Sequence, residues 1–334
     1  WQALRLPGQY VEYPGLVFAK TCRQAFNTEP DRVTLIRLYR RERPDIVHHV
    51  ALKPALYGSL AAWMTGVPAT INAFAGMGFV FISNGIFARL LRPVIGGAFR
   101  FLLNGKSSRV IVQNPDDRAL FKDRIGVADH RIAVIRGSGV DITQFHPTSP
   151  PPGTPVAVCV SRMLWDKGIG ELVEAARLLR QRGTQLRIRL VGPADDNPAS
   201  IPPAQLAAWR AEGIVEITGP SADIAREYAN AHIAVLPSYR EGLPKSLLEA
   251  AAAGLPLIAT DVPGCREVCR HDETGLLVSA RNADALADAL ARLAKDADLR
   301  ARYGAAARRA AETEFAEAIV VAQTMALYEM LVSI

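Results

Sequence analysis

Two glutamates, Glu241 and Glu249, bracket the segment of this chain whose residue types point most directly to chemistry. Between them, a Gly-Leu-Pro turn leads into a run of helix-forming residues that ends at Gly254. Pro244 suits the first turn of that helix, where its missing N–H has no consequence. The N–H groups at a helix start attract an anion, and carboxylates accept hydrogen bonds from paired hydroxyls. The segment therefore predicts a phosphate site flanked by two polyol sites, which is the outline of a nucleotide sugar.

A pair of cations forms the second group of candidate residues. Arg162 and Lys167 belong to the segment 161–168, directly after a predicted strand. Two fixed cations on such a loop could stabilise the negative charge that develops on a diphosphate leaving group. Alone they could equally be solvated surface residues. The two glutamates in the same half of the chain favour the diphosphate interpretation.

Strands and helices alternate through both halves of the chain. The strands predicted in the first half cover residues 45–50, 68–74, 108–113 and 131–135. Four prolines and a glycine in residues 148–155 then predict a linker. After the linker the alternation restarts with a strand at 156–160 and a helix at 169–181. This order predicts an α/β protein with two doubly wound parallel sheets, and with its ligand in a cleft at the carboxyl ends of the strands.

The linker and the last helix set the predicted domain boundaries. We place a first domain at residues 1–147, a second at 148–314 and a final helix at 315–334. That helix carries apolar residues nearly all round, so we expect it to be buried between surfaces.

The formal charge of +6 is unevenly distributed over the 334 residues. Residues 1–147 hold 19 Lys and Arg against 10 Asp and Glu, whereas the remainder holds 20 against 23. A basic first half predicts an anionic partner. Nucleic acid is one possibility, but an anionic lipid surface fits better, since the uncharged stretch 54–88 runs into the basic apolar stretch 88–106. Gly, Pro and Asn interrupt the uncharged stretch, which argues against a transmembrane helix.

The cysteines suggest a reducing cytoplasm as the setting of the protein. They form no zinc-binding pattern, and four in a chain of this length do not suggest a disulfide framework. The residues from Trp1 onward show no secretory signal. The four positions are Cys22, Cys159, Cys265 and Cys269.

These motifs resemble the family 4 glycosyltransferases, which are retaining enzymes with the GT-B fold. The resemblance is strong in the second domain and looser in the first. Within the family, the segment 72–81 is similar to members that extend lipid-linked bacterial surface glycans. Three motifs occur in the family's order, namely Gly139-Val140-Asp141, Arg162-x4-Lys167 and Glu241-x7-Glu249.

The resemblance implies a role for each matched position. Arg162 and Lys167 would hold the donor diphosphate. Glu241 would bind hydroxyls of the transferred sugar, and Glu249 would bind the ribose hydroxyls of the nucleotide. Gly139 would lie near the donor in the cleft. Backbone N–H groups would contact the sugar and the phosphates, and they belong to Gly242, Leu243, Ser246 and Leu247.

The resemblance also implies a reaction and a location. A hexose or N-acetylhexosamine would pass from a nucleoside diphosphate, which we expect to be UDP, with retention of anomeric configuration and with no metal or other cofactor. The expected acceptor is a lipid-linked saccharide in surface polysaccharide or O-antigen synthesis. The enzyme would be cytoplasmic and peripheral on the anionic inner face of the membrane. Its final helix would cross back to the first domain.

Two departures from the family pattern keep other functions open. Many relatives carry a histidine near the reacting sugar, where this chain has Ala75. The family's usual first strand, glycine loop and helix have no evident counterpart from Trp1 onward, so we expect the first domain to lack that unit. A nucleotide-sugar epimerase of the same architecture and a non-catalytic donor-binding remnant therefore remain alternatives. A dinucleotide-dependent oxidoreductase is disfavoured, because no G-x-G-x-x-G opens either sheet.

Two adjacent histidines are further candidates. His48 and His49 end a predicted strand, so they could point into the cleft. One would pack in the interior and the other could meet the acceptor.

Overall fold

The structure, a computed structural model, describes residues 32–75, 86–195 and 198–332. It divides into two compact units. The first unit holds the described residues up to Ile135 and from Gln323 on, and the second holds Arg136–Ala322. The expected absence of an N-terminal strand and helix concerns residues that lie outside the described part of the chain.

The first unit is built on a parallel sheet of four described strands in the order β1-β2-β3-β4. The side chain of Asn114 caps the helix after β3, because its Oδ1 accepts the Asp117 N–H at 2.8 Å. Gly66 adopts left-handed backbone angles and ends the helix after β1. The elements are α1 (Arg32–Glu42), β1 (Ile46–Val50), α2 (Leu52–Thr65), β2 (Ala69–Phe74), α3 (Ile86–Leu103), β3 (Ser108–Val112), α4 (Pro115–Ala119) and β4 (Ile132–Val134).

The second unit is built on a parallel sheet of six described strands in the order β10-β9-β8-β5-β6-β7. The elements up to β8 are β5 (Val156–Val160), α5 (Ile169–Gln181), β6 (Arg187–Val191), α6 (Pro203–Glu212), β7 (Glu216–Gly219), α7 (Ile224–Ala229) and β8 (Ile233–Leu236). The remaining elements are α8 (Lys245–Ala252), β9 (Leu257–Thr260), α9 (Cys265–Val268), β10 (Gly275–Val278), α10 (Ala283–Lys295), α11 (Ala297–Ala310) and α12 (Glu317–Val332).

The order of these six strands has a switch point between β5 and β8. The chain begins the sheet at β5, adds β6 and β7 on one side, and then returns to add β8, β9 and β10 on the other. Side chains of β5 alternate between two cores, with Ala157 and Cys159 in one and Val158 in the other. The sheet is therefore covered on both faces, as a doubly wound fold requires.

The last helix departs from its predicted environment. Its apolar sequence predicts burial all round, yet Met330 is 47% exposed and Val332 is 54% exposed. Leu327, Tyr328 and Leu331 are buried, so the part of α12 in the first unit buries one face only. Within the described residues, no helix is both long and apolar enough to cross a bilayer.

Candidate functional site

The second unit brings Lys167 and Glu241 together at the carboxyl ends of two neighbouring strands. Lys167 ends a short 3-10 turn between β5 and α5, and Glu241 lies in the loop between β8 and α8. The Lys167 Nζ donates to Glu241 Oε1 at 2.5 Å, and the two side chains are 19% and 13% exposed. Since β5 and β8 flank the switch point, this ion pair occupies the place where doubly wound sheets bind ligands.

Two hydroxyl residues that the sequence analysis missed support Glu241, one by bonding its carboxylate and the other by bonding the backbone of the first. Ser238 is fully buried, and its hydroxyl donates to Glu241 Oε1 at 2.7 Å. Thr260, at the end of β9, donates to the Ser238 carbonyl oxygen. The bonds from Lys167 and Ser238 both reach Glu241 Oε1, and no described residue donates to Oε2.

Backbone contacts fix the loops that carry these side chains. The Tyr239 N–H donates to the Asp166 carbonyl oxygen at 2.8 Å, which joins the loop after β8 to the loop after β5. Gly264, which opens α9, has φ +81°, and a Cβ there would overlap the Gly242 carbonyl oxygen. A glycine is therefore required where the loop after β9 meets the Glu241 loop.

Arg162 lies apart from the Lys167–Glu241 pair in its hydrogen bonding. Its Nη1 donates to Asp195 Oδ2 at 2.5 Å, and its side chain is 53% exposed. Asp195 follows β6, the other neighbour of β5, and sequence reasoning did not single it out. The loop itself is held by backbone bonds from Met163 N to Pro193 O and from Trp165 N to Ala199 O, each 2.9 Å. Arg162 is thus placed beside the switch point with a carboxylate as its partner.

Glu249 is a partly buried carboxylate with few partners. It lies on α8, its side chain is 12% exposed, and Lys245 Nζ is 3.9 Å from its Oε1. Burial raises the pKa of Glu249, and the nearby Lys245 opposes that rise. None of the described residues donates a hydrogen bond to this carboxylate. Such a group is suited to accept hydrogen bonds from a ligand's hydroxyls.

The backbone amides at the start of α8 differ in their availability. The Leu247 N–H already donates to the Pro244 carbonyl oxygen at 3.1 Å. The N–H groups of Leu243 and Ser246 meet no acceptor among the described residues. Gly242 has a partner within the chain. Two of the four predicted amide donors are therefore open at this helix start.

Gly139 has a role within the protein that needs no ligand. It has φ +75°, and a Cβ there would lie 2.6 Å from the Glu317 Cα. Val140 exchanges backbone hydrogen bonds with the same segment, donating to Phe315 O at 2.9 Å and accepting from Glu317 N at 3.0 Å. The close approach that this glycine permits is to the start of α12.

The histidines of β1 are paired inside the first unit. His49 is buried, and because the oxygen of an amide only accepts, its Nδ1–H donates to Asn72 Oδ1 at 2.8 Å. The His49 Nε2 then accepts from the Tyr39 hydroxyl at 2.9 Å. The His48 Nδ1 lies 2.5 Å from the Tyr328 hydroxyl. Burial lowers the pKa of each histidine to about 4, so both are neutral at pH 7.

Ala75 is exposed at the edge of the described segment that ends at that residue. The remainder of the predicted motif, residues 76–81, lies outside the described part of the chain. Elsewhere, the described residues include no group of three or more His, Cys, Asp or Glu that could hold a metal ion.

Two family models match this chain. One, described as Glycosyltransferase Family 4, matches residues 6–144, and the other, described as Glycosyl transferases group 1, matches residues 154–296. The chain therefore consists of a Glycosyltransferase Family 4 domain followed by a group 1 glycosyltransferase domain. The resemblance based on the three sequence motifs is thereby confirmed.

Solved structures confirm the fold of this glycosyltransferase. Sucrose-phosphate synthase from Thermosynechococcus elongatus superposes with a TM-score of 0.77 over 93% of this chain and 80% of its own, at 22% identity. The Anabaena protein HepE in complex with UDP-glucose gives a TM-score of 0.74 over 91% and 82%, at 21% identity. At these identities the likeness establishes the fold alone, and that fold is GT-B, as predicted.

Two relatives found by sequence similarity are named as glycosyltransferases. N,N'-diacetylbacillosaminyl-diphospho-undecaprenol alpha-1,3-N-acetylgalactosaminyltransferase of Campylobacter jejuni is 28% identical over 313 residues, which are 89% of this chain and 80% of the relative. The amylovoran biosynthesis glycosyltransferase AmsK of Erwinia amylovora is 34% identical over 185 residues, which are 52% and 44%. The chain thus spans most of the first relative and less than half of the second.

Proposed function

We propose that this glycosyltransferase transfers a hexose or N-acetylhexosamine from UDP to a lipid-linked saccharide, with retention of anomeric configuration. The observation that carries the donor half of the proposal is the Lys167–Glu241 pair at the switch point. Glu249 adds a carboxylate with no hydrogen-bond donor among the described residues, at one helix turn from the open amide of Ser246. The HepE structure was solved with UDP-glucose, which supports UDP as the nucleotide.

The hydrogen bonds within the protein support different roles for the carboxylates of Glu241 and Glu249. Glu241 Oε1 is occupied by Lys167 and Ser238, so its Oε2 is available to accept hydroxyls of the transferred sugar. Glu249 would accept the ribose hydroxyls. Lys167 uses one of its three N–H donors on Glu241, and the other two can meet a diphosphate oxygen. Arg162 would add a second cation at the same diphosphate.

The proposed reaction proceeds on the face of the sugar that carries the leaving group. The bond between C1 and the diphosphate oxygen breaks, and its electron pair leaves with UDP. The acceptor hydroxyl oxygen bonds to C1 from the same face, and its proton passes to the departing phosphate oxygen. Lys167 and Arg162 stabilise the charge that develops there without being consumed. The Campylobacter relative is named for an α-1,3 linkage, which is the product that retention gives from an α-linked donor.

The acceptor proposal rests on that relative and on the charge of the first half of the chain. The name of the relative specifies a diphospho-undecaprenol acceptor. Residues 1–147 carry a net charge of +9 from 19 Lys and Arg against 10 Asp and Glu, which suits an anionic inner membrane face. We accordingly place the enzyme in the cytoplasm, peripheral on that face.

A transfer assay tests the proposal. The full chain is incubated with a panel of UDP- and GDP-linked sugars and a polyprenyl-diphosphate-linked saccharide, and both product and released nucleotide are measured. Glu241→Ala and Arg162→Ala should abolish or strongly reduce transfer. If both variants turn over at the wild-type rate, the site assignment is wrong.

The same assay separates the two alternatives. Conversion of the nucleotide sugar to its epimer without acceptor would identify an epimerase. Nucleotide binding without any turnover would identify a donor-binding remnant.

A further inference from the structure

Two aromatic side chains lie side by side on the surface of the first unit. Trp63, near the end of α2, is 64% exposed, and Phe101, near the end of α3, is 63% exposed. Their ring centroids are 5.7 Å apart with an edge-to-face geometry. Met64, also on α2, and Val94, also on α3, are exposed as well, at 50% and 68%. Large exposed apolar side chains that contact each other, as Trp63 and Phe101 do, mark an interaction site more often than scattered single residues do.

The helix α3 has apolar side chains on two faces. Phe99 and Leu103 are fully buried and pack in the core of the first unit. Val94 and Phe101 are two helical turns apart on the outward face, with Gly97 between them. A surface helix ordinarily turns charged or polar residues outward. We call the outward surface formed by Trp63, Met64, Val94 and Phe101 the α2–α3 face.

The charge of this region has a single sign. Residues 46–115, which include both helices, contain no Asp or Glu. Arg100 is exposed directly beside Phe101. The six cations of the segment are Lys53, Arg89, Arg92, Arg100, Lys106 and Arg109. A surface of exposed rings within a region of positive charge is complementary to an anionic layer over an apolar one.

We propose that the α2–α3 face docks this chain on an anionic lipid bilayer. Trp63 and Phe101 insert at the level of the headgroups, where an aromatic ring meets both water and acyl chains. Neighbouring Lys and Arg side chains meet the anionic headgroups. This inference rests on the proposed function for its purpose, because an acceptor carried on lipid is met at the bilayer surface.

Vesicle flotation with the full chain tests the surface. The vesicles contain either phosphatidylcholine alone or phosphatidylcholine mixed with phosphatidylglycerol. Wild type should float with the mixed vesicles, less so as salt rises, because salt screens the attraction between the cations and the lipid. Trp63→Gln with Phe101→Gln should lower the partition coefficient about tenfold or more, since the rings no longer leave water. Val332→Ser, which replaces another exposed apolar residue of the first unit, is the matched control and should float like wild type.

Further measurements distinguish the loss of lipid binding from misfolding and from the loss of catalysis. The double variant replaces exposed residues, so its unfolding midpoint should equal that of wild type. Its transfer to a short-chain, water-soluble acceptor should also be unchanged. Glu241→Ala should lose transfer and still float, which separates failure of the proposed reaction from failure of the docking surface.

The proposal is overturned by either of two results. One is flotation of the double variant equal to wild type. The other is the absence of vesicle binding together with a dimer that the double variant abolishes, because the α2–α3 face would then be an interface between copies.

Discussion

The ion pair between Lys167 and Glu241 should be worth more to folding than a surface pair, and a double-mutant cycle can measure it. The two side chains are 19% and 13% exposed, so removing one partner leaves a charge in a largely dry site. Breaking a buried pair in this way costs about 3–5 kcal/mol, and the residual exposure here brings our expectation down to about 2 kcal/mol. Lys167→Met and Glu241→Gln are the single changes, and both keep the side-chain volume nearly constant.

The double variant should lose no more stability than either single variant does. The two new side chains leave no uncompensated charge, and the amide oxygen introduced by Glu241→Gln can still accept a hydrogen bond from Ser238, whose hydroxyl lies 2.7 Å from Glu241 Oε1. We expect each single variant to lose about 2 kcal/mol and the double variant to lose only about 2 kcal/mol in total, which gives a coupling energy of about 2 kcal/mol. Urea unfolding of all four proteins measures the cycle.

Activity should follow a different pattern from stability. On the proposed function, Lys167 and Glu241 each contact the donor, so the double variant should be stable and inactive. A coupling energy below about 0.5 kcal/mol, typical of exposed pairs, would refute the claim that this pair is buried and paired in solution. Restored transfer in the double variant would refute the proposed contacts with the donor.

Three other predictions follow from single features of the structure. On the proposed function Glu249 accepts the ribose hydroxyls, so Glu249→Gln should weaken UDP binding more than it slows transfer at saturating donor. Calorimetry and initial rates measure the two effects, and a UDP affinity equal to that of wild type would contradict that role. Gly58→Ala should destabilise the chain by about 1–3 kcal/mol in urea, because its Cβ would overlap the buried His49 ring, and Gly66→Ala, a glycine at a left-handed position in open space, should cost about 1 kcal/mol. Because burial lowers the pKa of His48 and His49 to about 4, the unfolded chain binds more protons between pH 6.5 and 4. Their contribution to stability is therefore complete above about pH 6.5, and about 2 kcal/mol per histidine is lost by pH 5. In His48→Asn, the slope of the unfolding free energy against pH should be half that of wild type. An unchanged slope would show that His48 does not titrate with a lowered pKa.

Element positions were predictable where the hydrophobic pattern is continuous. The strand at 156–160 and the helix at 169–181 occur with the bounds that the sequence predicts. The helix α6 and the strand β10 were not predicted. The strand Gly275–Val278 is only four residues long, so its pattern is too short to distinguish from a loop, and its pairing with β9 supplies what local sequence does not.

The candidate residues of the site could be proposed from charge and spacing, but their contacts could not. Glu241 and Lys167 are 74 residues apart, and only the return of the chain from β7 to β8 brings them together. The partners Ser238 and Asp195 had no distinguishing pattern, since a buried serine and a loop aspartate are common in any sequence. Gly139 shows the opposite case, in which a residue of a recognised motif is fully explained by its packing against Glu317.

The two carboxylates of the E-x7-E motif differ in their hydrogen-bond partners within the protein, and that difference suits them to different roles. Glu241 already has a cation and a hydroxyl on one oxygen, so its side chain is fixed before any ligand arrives. Burial without a hydrogen-bond donor from the described residues raises the pKa of Glu249, so a ligand that supplies hydroxyl donors relieves an existing penalty. Ribose hydroxyls at Glu249 would therefore contribute mainly to affinity, whereas sugar hydroxyls at the preorganised Glu241 would contribute mainly to orientation at C1. On the proposed function, the partners that each carboxylate already has would therefore decide its role, with Glu249 binding the nucleotide and Glu241 aligning the sugar.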